Sequence, residues 1–257
     1  MLRGLDTGMG QSSTSGCGPV SDMEMMHHEN YAESESYVMS SNKTIFEHLS
    51  ARLTLQVLTD RTWSRGRNTL TVARAALDGG ATIIQLRDKV ASTRLLVEEG
   101  LALRELTRQY DALLLVNDRV DVAWAIDADG VHLGHDDMPL PLARCLLGPE
   151  RILGVSAGNL AEAMIGVEGQ ADYISVGPIY STQAKSDAGS AIGTQLISEL
   201  VARSSIPVIA IGGITAENVA PIIRAGACGV AVITAIVGAV DIAQAARTML
   251  TAIRDVR

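Results

Sequence analysis

Eight short β-branched or leucine-rich runs alternate with stretches of helical periodicity from Leu53 onward, and this predicts an α/β chain folded as one (β/α)₈ TIM barrel. Two further observations point the same way. Apolar residues make up 47% of the 257-residue chain but aromatic residues only 3%, so the core must be built from Val, Ile, Leu and Ala. That mix fills both faces of a buried parallel sheet. The first run ends in Asp60-Arg61-Thr62-Trp63, not in the Gly-x-Gly-x-x-Gly loop that a doubly wound dinucleotide fold requires there.

The expected strands are Leu53–Thr59, Thr82–Leu86, Leu113–Val116, Gly130–Leu133, Ile152–Val155, Tyr173–Val176, Pro207–Ile211 and Gly229–Ile233. The expected helices begin with Asn68–Leu77, which opens on an asparagine cap and stops at Gly79-Gly80, and Thr93–Gln109, rich in Leu, Arg and Glu. They continue with Val120–Ile126, Pro141–Leu147, Asn159–Val167, Gln195–Ala202, Ala216–Ala225 and Asp241–Ile253. Thr44-Ile45-Phe46-Glu47 matches a capping box and predicts a short helix before the barrel. Residues 1–41 are rich in Ser, Gly, Met and Glu without apolar periodicity, so they are expected to be a disordered extension ahead of a catalytic domain at 42–257.

A net charge of −8 disfavours a nucleic-acid or anionic-membrane partner, since both need a basic surface, and says little about small anionic substrates, which respond to local charge. No apolar run reaches the roughly 18 residues of a membrane helix, and the N-terminus has no secretory h-region. The extension carries Asp22, Glu24, Glu29, Glu33 and Glu35, too acidic for a usual organellar transit peptide. Cys17, Cys145 and Cys228 are odd in number and outside metal-ligand spacing, which predicts a reduced, cytoplasmic setting. A homo-oligomer is allowed by the sequence but not specified by it.

Polar and charged residues concentrate just after the strands, where a barrel keeps its active site. The second strand runs into Gln85-Leu86-Arg87-Asp88-Lys89, the third into Asn117-Asp118-Arg119, and the fourth into Gly134-His135-Asp136-Asp137. The fifth ends at Ser156, the sixth leads to Thr182-Gln183-Ala184-Lys185, the seventh ends at Gly212-Gly213, and the eighth carries Ile233-Thr234. Singly, each has a plain structural reading: a solvated loop at 87–89, helix caps at Asn117-Asp118 and Asp136-Asp137, and a tight turn at Gly212-Gly213. His132 reads as a hydrogen-bonded interior histidine, since no second histidine sits at ligand spacing. What these readings leave unexplained is that all the groups share one face.

The residue types suggest the chemistry. Arg87, Lys89 and Lys185 suit phosphate oxygens. Asp118 and Asp137 are hard oxygen ligands on neighbouring strands, a sparse carboxylate set of the kind Mg²⁺ takes. Gly212-Gly213 and the eighth loop match the usual barrel phosphate pocket. Two anion sites, one with metal, imply a diphosphate and a monophosphate bound together. No Ser/His/Asp set, Cys/His pair or paired glutamates are evident, which favours departure of a magnesium-bound diphosphate over hydrolysis.

In this order the motifs resemble the thiamine phosphate synthase family, over roughly Leu53 to Arg257. The resemblance rests on Gln85-Leu86-Arg87-Asp88-Lys89, Val116-Asn117-Asp118-Arg119-Val120-Asp121, Asp129-Gly130-Val131-His132-Leu133-Gly134, Gly177-Pro178-Ile179-Tyr180 and Ile211-Gly212-Gly213-Ile214. It implies transfer of a hydroxymethylpyrimidine group from its diphosphate to the nitrogen of a thiazole phosphate, through a dissociative, Mg²⁺-assisted step. By position it implies that Arg87, Lys89, Asn117, Ser156 and Lys185 hold the pyrimidine diphosphate, with Gln85 near the pyrimidine and Leu86 and Asp88 beside them. Arg87, Lys89, Ser156 and Lys185 would be the catalytic set, and Asp118 and Asp137 the metal ligands. Thr182, Gly213 and the Ile233-Thr234 backbone would hold the thiazole phosphate, with Gln183 and Ala184 also among the substrate-binding residues. The chain departs from the family at Ala184, where a second Thr is usual, at His135-Asp136 in place of Gln-Glu, and at Thr234 in place of Ser. A related thiazole tautomerase would place a histidine shortly after the fifth strand, where this chain has Ala157-Gly158-Asn159. A non-catalytic phosphate sensor on the same barrel would not need two metal carboxylates.

Overall fold

All eight runs form parallel strands. They are β1 (Leu55–Leu58), β2 (Ile83–Leu86), β3 (Leu113–Asn117), β4 (Gly130–Leu133), β5 (Ile152–Ala157), β6 (Tyr173–Val176), β7 (Val208–Ile211) and β8 (Gly229–Val232). In the computed structural model, which describes residues 49–184 and 189–257, each strand pairs with the next. β1 closes on β8 through Gln56 opposite Ala231, so the sheet is a barrel in sequence order. The expected extension at 1–41 and the capping box at Thr44–Glu47 lie outside the described residues, although residues 49–52 are helical.

The helices between strands are α1 (Thr69–Asp78), α2 (Thr93–Gln109), α3 (Val120–Ala125), α4 (Leu140–Leu147), α5 (Leu160–Glu168), α6 (Gln195–Arg203), α7 (Ala220–Arg224), α8 (Thr234–Val237) and α9 (Ile242–Arg254). The expected boundaries hold to one or two residues except at α7. There Asn218 Oδ1 accepts from Thr215 N at 2.8 Å, a turn that delays the helix to Ala220. The single-turn α8 has no counterpart among the expected elements, being too short to show a period. Asn68, Ser92, Asn159 and Asp241 cap α1, α2, α5 and α9 through side-chain oxygens.

Five helices end the same way. A residue with positive φ (Gly80, Asp111, Asp127, Gln170 or Gly226) is followed by a buried alanine, Ala81, Ala112, Ala128, Ala171 or Ala227. Each alanine N–H reaches back to a helical carbonyl at 2.9 to 3.3 Å, which makes a Schellman closure that turns the chain into the next strand. The residue after the alanine then ties the floor of the barrel. Thr82 Oγ1 accepts from Leu55 N, Asp129 Oδ2 from Leu114 N, and Asp172 Oδ2 from Leu153 N, each at 2.7 to 3.0 Å. Arg104 and Arg144 complete the two aspartates. Cys228 occupies the fourth such place, its thiol donating to Val208 O at 3.2 Å, and burial pushes that thiol up to about 12. The last residue, Arg257, reaches from α9 to Cys228 O and to Thr54 Oγ1 at the entrance of β1.

Two apolar layers hold the fold. One lies between sheet and helices and contains Val57, Ile84, Leu114, Val131, Leu153, Ile174 and Val230. The other fills the barrel floor with Leu58, Ile83, Leu113, Leu115, Tyr173, Ile209 and Ala231. Side chains alternate along a strand, so the inward positions above that floor fall on Gln85, Asn117, His132, Ser156 and Ser175. The upper half of the barrel is therefore polar.

Candidate active site

A cavity of about 640 Å³ opens over the C-terminal ends of the strands. Its walls include Lys89, Asn117, Asp118, Asp137, Ser156, Thr182, Ala184, Gly213, Ile233 and Thr234, so ten of the expected site residues meet in one place.

The acidic side is built on β3 and β4. Asp118 adopts φ +64° with its N–H bonded to His132 O at 2.8 Å, a left-handed turn that Asp tolerates better than most residues. Its carboxylate meets Lys89 Nζ at 2.7 Å and hydrogen-bonds to Asp137, whose Oδ2 also accepts from Gly134 N at 2.6 Å. Burial and the neighbouring Asp118 push Asp137 up, while burial of Asp118 is outweighed by its bonds to Asp137 and Lys89, so Asp118 falls below the usual range. Neither carboxylate acts as a helix cap. The N-cap of α3 is Arg119, without a side-chain bond, and α4 starts only at Leu140.

Beneath the rim, Arg87 is buried and paired with Asp60 Oδ2 at 2.5 Å. Its backbone exchanges hydrogen bonds with the Thr59 hydroxyl, and its Nε has no partner. Gln85 is likewise buried, with Oε1 unpartnered. Neither lines the cavity as it stands. Leu86, Asp88 and Gln183, expected among the substrate contacts, are not brought to it. Leu86 points outward beneath α2, against Gly100, because the inward places on β2 fall to its neighbours. Asp88 is taken up by Arg61 and by the Val90 and Ala91 amides, and Gln183 is exposed to solvent. Lys185 lies outside the described residues.

The opposite wall is a glycine turn. Gly212 and Gly213 both have positive φ (101° and 63°), and a Cβ on Gly213 would meet Tyr180 Cβ at 2.8 Å. Asn218 Nδ2 donates to Gly213 O at 2.9 Å, and Tyr180 Oη donates to the backbone of Asn218, so the turn is clamped. Beside it Ile233 and Thr234 begin α8, whose far end is held by Arg67 Nη2 donating to Val237 O at 2.7 Å. Thr182 Oγ1 accepts from Ala184 N at 3.1 Å, and the Ala184 methyl packs on the inner apolar cluster.

Between the two walls, His132 uses both ring nitrogens, Nδ1 at 2.9 Å from Tyr173 Oη and Nε2 at 2.9 Å from Ser156 Oγ. This is the interior histidine expected from the sequence, and it also lines the cavity. Sequence reasoning missed Asp60 as the partner of Arg87, although its place directly after the first strand was a signal. It also missed Gln56 and Tyr173, which sit inside apolar runs and carry no motif. Among the described residues no helix is long and apolar enough to cross a membrane.

Comparisons with known proteins agree with the geometry. A family model described as thiamine monophosphate synthase matches residues 55–236. A thiamine-phosphate synthase of Chloroflexus aurantiacus is 53% identical over 76% of this chain and 90% of its own. One of Moorella thermoacetica is 53% identical over 72% of this chain and 88% of its own. Among solved structures, a thiamine phosphate pyrophosphorylase from Pyrococcus furiosus superposes with a TM-score of 0.75 at 42% identity, covering 81% of this chain and 98% of that one. This chain belongs to the thiamine monophosphate synthase family.

Proposed function

We infer that the chain is a thiamine phosphate synthase, a transferase that joins a hydroxymethylpyrimidine diphosphate to a thiazole phosphate and releases diphosphate. The observation that carries this reading is the pairing, in one cavity, of the Asp118–Asp137–Lys89 wall with the clamped glycine turn and Ile233-Thr234. Each wall suits one of two anionic substrates.

The carboxylate pair fits Mg²⁺. Two acidic side chains pressed together, one of them pushed toward its protonated form, make a site that gains from a hard cation. Bound there, Mg²⁺ supplies positive charge to a departing diphosphate. Asp118 and Asp137 would hold it. Lys89, Asn117 and Ser156, with Arg87 from below and Lys185, would hold the diphosphate oxygens, and Gln85 would lie near the pyrimidine. Thr182, Gly213 and the Ile233-Thr234 backbone would hold the thiazole phosphate. A thiazole nitrogen that becomes quaternary gives up no proton, so the transfer asks for no general base; His132 in the cavity wall is engaged by the hydroxyls of Tyr173 and Ser156.

The substrates are free small molecules; the net charge of −8 argues against a nucleic-acid or anionic-membrane partner, and the odd number and wide spacing of the cysteines support a cytoplasmic setting. The test is direct: incubate the protein with both substrates and Mg²⁺ and assay for thiamine phosphate. Product that is absent with Mg²⁺, or formed equally well without it, overturns the reading.

A further inference from the structure

A polar string crosses the barrel from Gln56 on β1, through Tyr173 on β6 and His132 on β4, to Ser156 on β5. Tyr173 is fully buried, and its ring lies over Gly154, where any Cβ would overlap it. The phenol is hydrogen-bonded to Gln56 and stands 2.9 Å from His132 Nδ1, with the two rings stacked at 5.6 Å between centroids. His132 Nε2 stands 2.9 Å from Ser156 Oγ, and Ser156 lines the cavity. Gln56 and Tyr173 do not reach the cavity, so any influence on a ligand passes through His132.

The string has a direction. Gln56 Oε1 has no partner, so the amide N–H is the end that meets Tyr173. A phenol oxygen that accepts from Gln56 is left to donate its own hydrogen to His132 Nδ1. A neutral imidazole accepting at Nδ1 carries its hydrogen on Nε2 and donates it to Ser156 Oγ. The serine hydroxyl then has its hydrogen free for the cavity.

We propose that Tyr173, backed by Gln56, is a positioning residue that fixes His132 as its Nε2–H tautomer and thereby turns the Ser156 hydroxyl into a hydrogen-bond donor toward the ligand. Burial holds the Tyr173 phenol far above its ordinary value, so it stays a donor at any working pH. The group Ser156 meets is an acceptor, a phosphate oxygen or an aromatic ring nitrogen. That this acceptor belongs to the pyrimidine diphosphate rests on the function proposed above; the tautomer does not. The opposite amide orientation of Gln56 would reverse every bond in the string and leave Ser156 an acceptor only.

The test begins on the full chain labelled with ¹⁵N-histidine and free of ligand, the His132 signals being identified by their loss in His132→Gln. The expected result is the Nε2–H tautomer, with Nδ1 unprotonated. Tyr173→Phe keeps the ring and its packing, and should mix or invert the tautomers. It should also lower kcat/KM for the pyrimidine diphosphate about tenfold, leaving the KM for thiazole phosphate unchanged. An Nδ1–H tautomer in the wild type, or a Tyr173→Phe protein with wild-type tautomer or wild-type kinetics, overturns the proposal. A wild-type chain that forms no thiamine phosphate overturns the functional reading instead, and the tautomer still decides this one.

Discussion

Ala184 presents a methyl group where the resemblance to the family implies a hydroxyl, and the hydroxyl of Thr182 beside it already accepts from Ala184 N. A hydrogen bond to a charged group contributes about 1.5–3 kcal/mol, and water in a methyl-sized gap recovers part of it. Ala184→Thr should therefore lower the KM for thiazole phosphate severalfold and leave that for the pyrimidine diphosphate alone, as steady-state kinetics with each substrate varied in turn will show. On the proposed function the carboxylates should behave differently, because diphosphate charge would grow in the transition state. Asp118→Ala or Asp137→Ala should reduce kcat by about 100-fold or more at saturating substrates, and near-normal turnover in either would remove that residue from the metal site. A third substitution concerns stability. Gln170 bears φ +57° with no side-chain bond to hold it there, and its backbone contacts survive replacement. Gln170→Gly should stabilise the chain by about 0.5–1 kcal/mol, read as a melting point about 2–3 °C higher. That Asp118, Asp137 and Ala184 gather at one end of the barrel was legible in the sequence; their conformation was not. Asn117-Asp118 before a helix has the pattern of a cap, and only the structure, through the positive φ of Asp118 and its bond to Lys89, shows that Asp118 does not cap α3.

The elements themselves were largely legible, because an eightfold change of period from two to 3.6 leaves few other topologies. What stayed hidden were features set by single contacts: the late start of α7, the one turn of α8, and the outward face of Leu86. The same holds for the ties beneath the strands. Asp129 Oδ2 accepts from Leu114 N at 2.7 Å and from Arg104 at 2.6 Å, joining the foot of β3 to that of β4. Asp129→Ala strands a buried amide and a mostly buried guanidinium together. It should cost about 2–3 kcal/mol in denaturant unfolding, with Asp129→Asn recovering part of this through its amide oxygen. An equal loss in both variants would mean that the charge, not the amide bond, sets the tie.

At the scale of the whole molecule, the barrel separates two tasks by height: an apolar floor closed by Schellman turns, and a polar upper half facing the cavity. Residues 1–41 carry no apolar periodicity in the sequence. Removing them should leave kcat/KM unchanged and the melting point within about a degree, and a drop of several degrees would show that they dock on the barrel. The reach of Arg257 to Thr54 and Cys228 has a consequence of its own. Because the last helix ends against the entrance of the first strand, the two ends of the barrel lie side by side, and a short joint between them would let the chain be opened elsewhere. The connection from α6 to β7 lacks the closure that five other helices share, and Ser205 within it is exposed. A permuted gene that starts at Ser205, ends at Ser204 and joins Arg257 to residue 49 through a short flexible linker should encode the same barrel with the same cavity.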